Sequence, residues 1–477
     1  MTTGEPTVVV VGAGYEGKRH YYERLAALGA RLVIVDEPGH WSESLPDEIA
    51  GTRWVATSIS GDPDADAAAI LGALDRSGVR ADGVLTFFEN YVCEAARVAA
   101  ALGLPGNPPE AVDAARSKVR TREMSTKLGL PTPKAQRVRS LDELFAAAAE
   151  IGFPAVVKPE FGASAAGVVR VDSIESLPGV YKLVRAVVTP GQKAIFRAGS
   201  DLLLEGYLDG VEFDVDLILQ DGECVFSSVS QNWPTAEPSF QETGLHLPPD
   251  HNKKAVRALV DLSVQTVQAF GFRRGVLHVE GKCTSHGPRV IEVNARMGGA
   301  RIHQMVEAVW GVDLIEAQLR SCLDLPQTLS PSRKPRCAIV NALVYAPASG
   351  RLAELPFADV ASEGGMGVEL DIFGQVGQQV TGPDGTFATV LAELTLSGKN
   401  LRRARSMAAQ VLREPPRILP ACFPPLFAEP EPQARRPLHD AAVIGARELA
   451  LACGRDHLRV PARRRHAAQA MASRTAL

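Results

Sequence analysis

An apolar run from Val8 to Val11 breaks into Gly12-Ala13-Gly14-Tyr15-Glu16-Gly17, enters a helical stretch from Lys18 to Leu28, and returns as Arg31 to Val35, closing at Asp36. Two strand-length runs joined by a helix predict a βαβ unit, with parallel strands because the helix carries the chain back to the end where it began. The alternation continues through a helix from Asp64 to Ser77, a strand from Gly83 to Phe87 and a helix from Tyr91 to Leu102. Leu104-Pro105-Gly106-Asn107-Pro108-Pro109 then breaks it, so a first α/β domain should end near residue 113.

The glycine turn fits GxGxxG between a strand and a helix, and Asp36 closes the second strand where a dinucleotide fold places its ribose-binding acid. Taken alone it points to NAD, and an NAD-dependent oxidoreductase using Gly12 to Gly17 is one reading of the chain. The same glycines serve any short βα turn, and with the rest of the chain read the motif favours a purely structural role.

Beyond residue 113 the pattern changes. A helix from Ser117 carries Lys118, Arg120, Arg122 and Lys127; Pro131 and Pro133 follow, then a helix from Leu141 to Ile151 and a β-rich stretch from Phe153 to Val229. A polar loop is expected from Ser230 to Asp250, helices from Lys253 to Phe270 and from Gln304 to Ser321, and strands around Glu280 and Glu292. Residues 337 to about 413 read as a small Gly-rich β cap. Across 477 residues, about 150 per domain predicts roughly three domains, drawn at 1–113, 114–330 and 331–425, with a basic tail over 426–477. Residues 401 to 477 hold 14 Arg against 6 acids, which reads as a solvated helix and a frayed end.

The balance of 51 cations and 55 anions, net −4, argues against broad phosphate neutralisation and hence against nucleic acid as a partner. Seven cysteines, the nearest two 15 residues apart, form no CxxC motif and suit a reducing cytoplasm. Met1 to Glu5 lacks a basic leader, and no run of 18 apolar residues occurs, so neither export nor a membrane partner is expected.

Three segments carry chemistry. First, a strand from Phe153 delivers Lys158 to Glu160-Phe161-Gly162-Ala163-Ser164-Ala165-Ala166-Gly167. Small residues let backbone N–H groups fold over phosphate oxygens while the lysine supplies a point charge. It is not a Walker A loop, and a solvated strand edge is the bland alternative. Second, Glu205 and Glu212 bracket the turn after Leu202-Leu203-Leu204. A carboxylate there could accept ribose hydroxyls and strand backbone could pair with an adenine edge, or the acids could simply keep an edge strand soluble. Third, Gly275 to Glu280 and Arg289 to Arg296 read as an antiparallel hairpin. Centred on His286, it sets Glu280 opposite Glu292 and His278 opposite Asn294, with Val279 and Val293 on the apolar side. Opposed carboxylates repel unless a cation sits between them, and Glu280, Glu292 and Asn294 are hard oxygen donors suited to Mg²⁺ or Mn²⁺ completed by phosphates. A solvated acidic face is the competing reading.

The order Lys118, Lys158 with its loop, Glu205 to Glu212, Glu280, then Glu-Val-Asn-Ala-Arg-Met-Gly-Gly over 292 to 299 resembles the ATP-grasp superfamily across roughly residues 1 to 410. Within it, Tyr207 to Asp216 and Gln241-Glu242-Thr243-Gly244 are most similar to carboxylate–amine ligases that join amino acids, carnosine synthase and bacterial dipeptide ligases among them. The resemblance implies an α/β chain with a Rossmann-like N-terminal domain that holds no NAD, a two-lobed ATP-grasp core and a small C-terminal β-rich cap. It implies an ADP-forming ligase working through an acyl phosphate on a small-molecule carboxylate, an amino acid, and an amine. Lys118 and Lys158, with Gly162, Ser164 and Gly167, would contact ATP phosphates; Glu205 and Leu208 would lie at the adenine and Glu212 on the ribose. Glu280, Glu292 and Asn294 would ligate the metals. Arg296 would steady the acyl phosphate, Gly298 and Gly299 would leave room for substrate, and Glu242 and His246 would receive the amine. A non-catalytic ATP-binding module is the second rival, and a homo-oligomer is left open.

Overall fold

The computed structural model describes residues 5–188, 196–355, 367–382, 388–412 and 417–420. Strands β1 (Thr7–Val11), β2 (Arg31–Asp36), β3 (Arg53–Ala56) and β4 (Gly83–Leu85) form a parallel sheet in the order β3-β2-β1-β4. Val8 to Val11 are completely buried because both faces are covered. Val8 and Val10 meet Tyr21, Tyr22 and Leu25 of helix Arg19–Ala27, while Val9 and Val11 meet Ile70 and Val98 of helices Pro63–Arg76 and Val92–Ala101.

The glycine turn is filled by the protein itself. Gly12 sits at φ +69, and a Cβ there would lie 2.0 Å from the Tyr91 ring. Trp41 Nε1 donates to Gly14 O at 2.6 Å, and the Asp36 carboxylate accepts from Ala13 N at 2.7 Å and Glu37 N at 2.8 Å. The Asp36 carboxylate that would hold a ribose is thus engaged by the turn, and an aromatic ring packs against its first glycine. The oxidoreductase reading is therefore set aside in favour of the structural one.

Strands β5 (Ala135–Val138), β6 (Ala155–Pro159), β7 (Val169–Val171) and β8 (Leu202–Gly206) make a small sheet in the order β5-β8-β6-β7. Helices Leu141–Ile151 and Leu177–Val187 back it through Leu144, Ala147, Val184, Val157 and Leu204; the second helix lies in a stretch expected to be strand. The large sheet contains β9 (Val211–Gln220), β10 (Glu223–Asn232), β11 (Gly244–Leu247), β12 (Gly275–Thr284), β13 (Gly287–Asn294), β14 (Ala338–Tyr345), β16 (Val368–Ile372) and β18 (Val390–Gly398). Its order is β13-β12-β9-β10-β11-β14-β18-β16, and β15 (Gly350–Glu354), β17 (Gln379–Val380) and β19 (Arg417–Pro420) form a separate three-stranded sheet.

Two expectations are corrected here. The segment Ser230 to Asp250 is not all loop: β11 lies inside it and joins β10 to β14, so C-terminal strands continue the large sheet. A four-residue strand ending at Leu247, just before Pro248, is too short for its alternation to register in the sequence. The helix expected from Gln304 to Ser321 is two helices, Ile302–Trp310 and Leu314–Cys322. Gly311 closes the first in the left-handed conformation, and the Asp313 side chain caps the second by accepting from Ile315 N and Glu316 N. Among the described residues no helix is long and apolar enough to cross a membrane. The basic tail over 426–477 lies outside the described residues.

Strand alternation creates the face on which the site is built. Phe213, Val215 and Leu217 of β9 and Leu277 and Val279 of β12 pack under helix Lys253–Ala269. Their neighbours Glu212, Asp214, His278 and Glu280 consequently emerge on the opposite face.

Gly12→Ala should lower the melting temperature, overpacking against Tyr91 costing about 1–3 kcal/mol. Gly29→Ala, also at positive φ but with nothing within 4 Å of the added carbon, should cost less. Equal losses in thermal unfolding would contradict the packed-turn account.

Candidate active site

A cavity of about 280 Å³ opens where the small sheet faces the large one. Lys118, Lys158, Gly162, Ser164, Glu205, Leu208, Glu212, Glu242, Glu280, Glu292, Asn294, Arg296 and Gly299 all line it. Lys158, 3% exposed near the end of β6, donates to Glu205 Oε1, and Arg122 Nε donates to Glu205 Oε2 at 2.8 Å. Arg122 also donates to Ile291 O at 2.7 Å, and Lys118 Nζ to Glu292 Oε1 at 2.8 Å. One carboxylate therefore ties helix Lys118–Lys127 to the small sheet, and two further bonds tie the same helix to β13.

Burial alone would raise the Glu205 carboxyl, but Arg122 and Lys158 outweigh it and hold it near 2. Lys158 is itself pushed down, first by burial and then by Arg122 and Lys118, against the pull of Glu205. The two partners shift for different reasons: Lys158 and Arg122 share the one Glu205 carboxylate with Lys118 near by on Glu292, so the carboxylate is oversupplied and the lysine undersupplied. Such a surplus of buried cation is suited to an incoming polyanion. The loop beside it takes left-handed backbone at Ser164 and Ala165 as well as Gly167, a local strain of the kind found at ligand clamps. Gly167 does not line the cavity; it closes the loop over Pro159.

On the opposite wall the hairpin register is as expected near the site, with Glu280 facing Glu292 and His278 facing Asn294. A bulge then pairs Gly281 with Val290, so the turn centres on Ser285 and His286 rather than on His286 alone. The unpaired Ile291 consequently reaches the cavity beside Glu292. Burial and then Glu292 push Glu280 well above the ordinary carboxylate range, whereas Lys118 keeps Glu292 low despite burial. Without a further cation a second charge beside Glu292 is thus disfavoured and Glu280 tends to keep its proton, while the Asn294 amide donates to its Oε1 at 3.3 Å. Among the described residues no group of three His, Cys, Asp or Glu side chains forms a metal site by itself. Two carboxylates and an amide oxygen suit a hard cation that takes its remaining ligands from phosphate and water.

Arg296 is anchored from the N-terminal domain: its Nε lies 2.8 Å from Glu89 Oε2, and NH2 donates to Asn294 Oδ1 at 3.3 Å. Glu242 lines the cavity at its rim, exposed to solvent yet ringed by protein, and that crowding, with Asp214 and Glu212 nearby, pushes its carboxyl up to about 7. His278 Nδ1 lies 2.9 Å from Asp216 Oδ1; burial opposes its charge, but Asp216 and Asp214 win and raise it to about 9.

Three expected roles are revised. His246 is completely buried outside the cavity, between Trp233 Nε1 at 3.2 Å and Arg405 at 3.2 Å, because alternation along β11 gives Leu245 to the cavity and His246 to the other side. The Glu205 carboxylate is occupied by Lys158 and Arg122 rather than left free for an adenine. Gly298 does not open space for substrate: a Cβ there would lie 2.8 Å from His278 Nδ1 and 3.0 Å from Asp216 Oδ1, so it lets the backbone cross that pair. Sequence reasoning missed Glu89, Arg122 and Asp216. Of these, Asp216 was within reach, since it falls in phase with Glu212 and Asp214 on β9.

Glu205 has a folded value below its unfolded one, so its stabilisation is present above about pH 4.5 and lost as pH falls toward 2. Glu205→Gln should cost on the order of 2–3 kcal/mol at neutral pH, with the deficit shrinking between about pH 5 and about pH 3. Denaturant titration of both proteins checks this, and a pH-independent deficit would contradict the ion-pair account.

Comparison with known proteins agrees with this geometry. The ATP-grasp domain model matches residues 151–304 and the ATP-grasp N-terminal domain model matches residues 22–106. Carnosine synthase 1 of Gallus gallus is 33% identical over 357 residues, covering 72% of this chain and 38% of that protein. Alanine--anticapsin ligase of Bacillus subtilis (strain 168) is 27% identical over 257 residues, covering 50% of this chain and 53% of that protein. The chain thus spans well under two thirds of these relatives' length. An L-amino acid ligase from Bacillus licheniformis shares the fold, with TM-score 0.75 at 22% identity, covering 88% of this chain and 99% of that one. The two family models together span about half of the 477 residues and include every cavity residue from Lys158 to Arg296, and the chain belongs to the ATP-grasp superfamily.

Proposed function

We propose that the chain is an ATP-dependent carboxylate–amine ligase, forming an amide or peptide bond through an acyl phosphate with ADP and phosphate as products. The observation that carries this reading is a single cavity at which Lys118, Lys158 and Arg122 meet only two carboxylates, Glu205 and Glu292, while Glu280 lies opposite Glu292 with no cation of its own and Arg296 is fixed beside them. A carboxylate is a poor acyl donor because its leaving group would be oxide; phosphorylation makes that oxygen a good leaving group and asks the protein mainly for positioning and charge neutralisation.

In this reading Lys118 and Lys158 hold the phosphates under the loop of Gly162 to Gly167, and Glu212 takes the ribose near Leu208. Glu280, Glu292 and Asn294 would hold Mg²⁺ or Mn²⁺, which neutralises phosphate charge when bound. Arg296, kept in place by Glu89, neutralises charge on the acyl phosphate as it forms and collapses. The amine arrives beside Gly299 and Glu242, whose carboxyl near 7 suits it to accept the amine's proton. The names of the relatives support an amino acid as the acid substrate and a small amine as the acceptor. The same reading takes residues 1–113 as the Rossmann-like domain, 114–330 as the core, 331–425 as the C-terminal β-rich part and 426–477 as a tail.

With the acid identified by an ADP-release screen, hydroxylamine in place of the amine should give a hydroxamate, one ADP per product. AMP and pyrophosphate would overturn the proposal. Glu280→Gln and Glu292→Gln should each raise the Mg²⁺ concentration needed for half-maximal activity at saturating ATP, by about tenfold or more on the scale of losing one charged ligand. Asp214→Asn should raise it less, and unchanged half-saturation in both Glu variants would remove the metal assignment.

A further inference from the structure

A second cavity, of about 480 Å³, lies behind the phosphate loop, separated from the first by Phe161 and by Ser117 hydrogen-bonded to Glu160. It is bounded by the segments following β3 and β4 and by the small sheet, at the carboxyl ends of the parallel strands where α/β sheets commonly receive ligands. Most of its arginines are matched. Arg97 forms a fork with Asp113 at 2.8 and 2.9 Å, Arg137 reaches Glu160 and Asp201 at 3.2 Å, and Arg197 reaches Glu37 at 2.8 Å.

Arg120 lies 3.7 Å from Asp113 with its side chain exposed to solvent, and Arg116 is the buried exception. It is 6% exposed, its NH1 has no hydrogen-bond partner, and its nearest carboxylate is Glu89 at 3.7 Å, already held by Arg296 at 2.8 Å. Its guanidinium lies 5.4 Å from the Phe161 ring centroid, which fixes its plane without neutralising it. Two acceptors lining the same cavity are also unsatisfied: Oε2 of Glu94, a residue 4% exposed, and Oδ1 of Asn90. Burial and then Asp66 push Glu94 up to about 7, with Arg116 and Arg97 too weak to reverse it. A buried polar atom without a partner is costly, so a cationic donor and two acceptors left open in one cavity call for a molecule that supplies an anion and a donor together.

We propose that this cavity binds a free α-amino acid as its zwitterion, carboxylate on Arg116 and ammonium on Glu94 and Asn90, outside the catalytic cavity. Glu89, shared by Arg116 and Arg296, connects its occupancy to the reacting centre. The amino acid is either a substrate held before reaction or an effector that is never incorporated.

Calorimetry on the full chain without ATP, titrating the twenty standard α-amino acids singly, tests this. At least one should bind saturably, at least tenfold more tightly than its carboxamide and its N-acetyl derivative. Arg116→Met should weaken that binding at least tenfold while keeping the wild-type melting shift on adding Mg-ATP. If Arg116→Met does not fold, Glu94→Gln with the same two derivatives gives the reading. No saturable binding, unchanged binding in the variants, or equal loss in Glu242→Gln would overturn the site. Radiolabelled ligand distinguishes the sources: label in the product identifies a substrate, and a changed rate without label an effector. Because binding is read without ATP, failure of the ligase reading leaves it interpretable.

Discussion

Glu205 is the carboxylate on which the arrangement of the lobes depends. Lys158 of the small sheet and Arg122 of the connecting helix both bind it, and Arg122 continues to the backbone of β13 on the large sheet. A buried carboxylate must be paired, and one paired twice leaves neither cation free to turn away. The lobes thus meet with Lys158 and Lys118 directed at the space between them, and the unneutralised part of that charge is what a nucleotide's phosphates would satisfy.

The opposite wall follows from the two-residue period of strands. The apolar residues of β9 and β12 commit one face to helix Lys253–Ala269, and every acid between them must emerge on the other. This brings Asp214, Asp216 and Glu280 around His278, whose positive charge offsets only part of the cluster. Glu292, paired opposite Glu280, joins the same surface, where Lys118 partners it, and the bulge adds Ile291 beside it. Excess buried cation on one wall and a carboxylate pair short of cation on the other are what a phosphate and its counterion would together satisfy.

Much of this was legible in the chain because it depends on local periodicity. The pairing of Glu280 with Glu292 needed only alternation and a short turn, and the Lys158 loop was marked by its run of small residues. What could not be read depends on contacts between distant segments. Nothing local indicates that Arg122 reaches Glu205 or that Glu89 holds Arg296, 83 and over two hundred positions apart. His246 was misplaced because the strand that buries it is short and set among polar residues. GxGxxG was ambiguous by nature, and the Tyr91 ring against Gly12 together with the engaged Asp36 carboxylate distinguishes a packed turn from a dinucleotide cradle.

The central claim is that this cavity moves a phosphoryl group onto a carboxylate oxygen. Oxygen-18 in both carboxylate positions of the acid substrate tests it most directly, with mass analysis of the products after complete turnover. The account predicts one labelled oxygen in each inorganic phosphate released, the other remaining in the amide. Unlabelled phosphate, or label recovered in AMP, would contradict it.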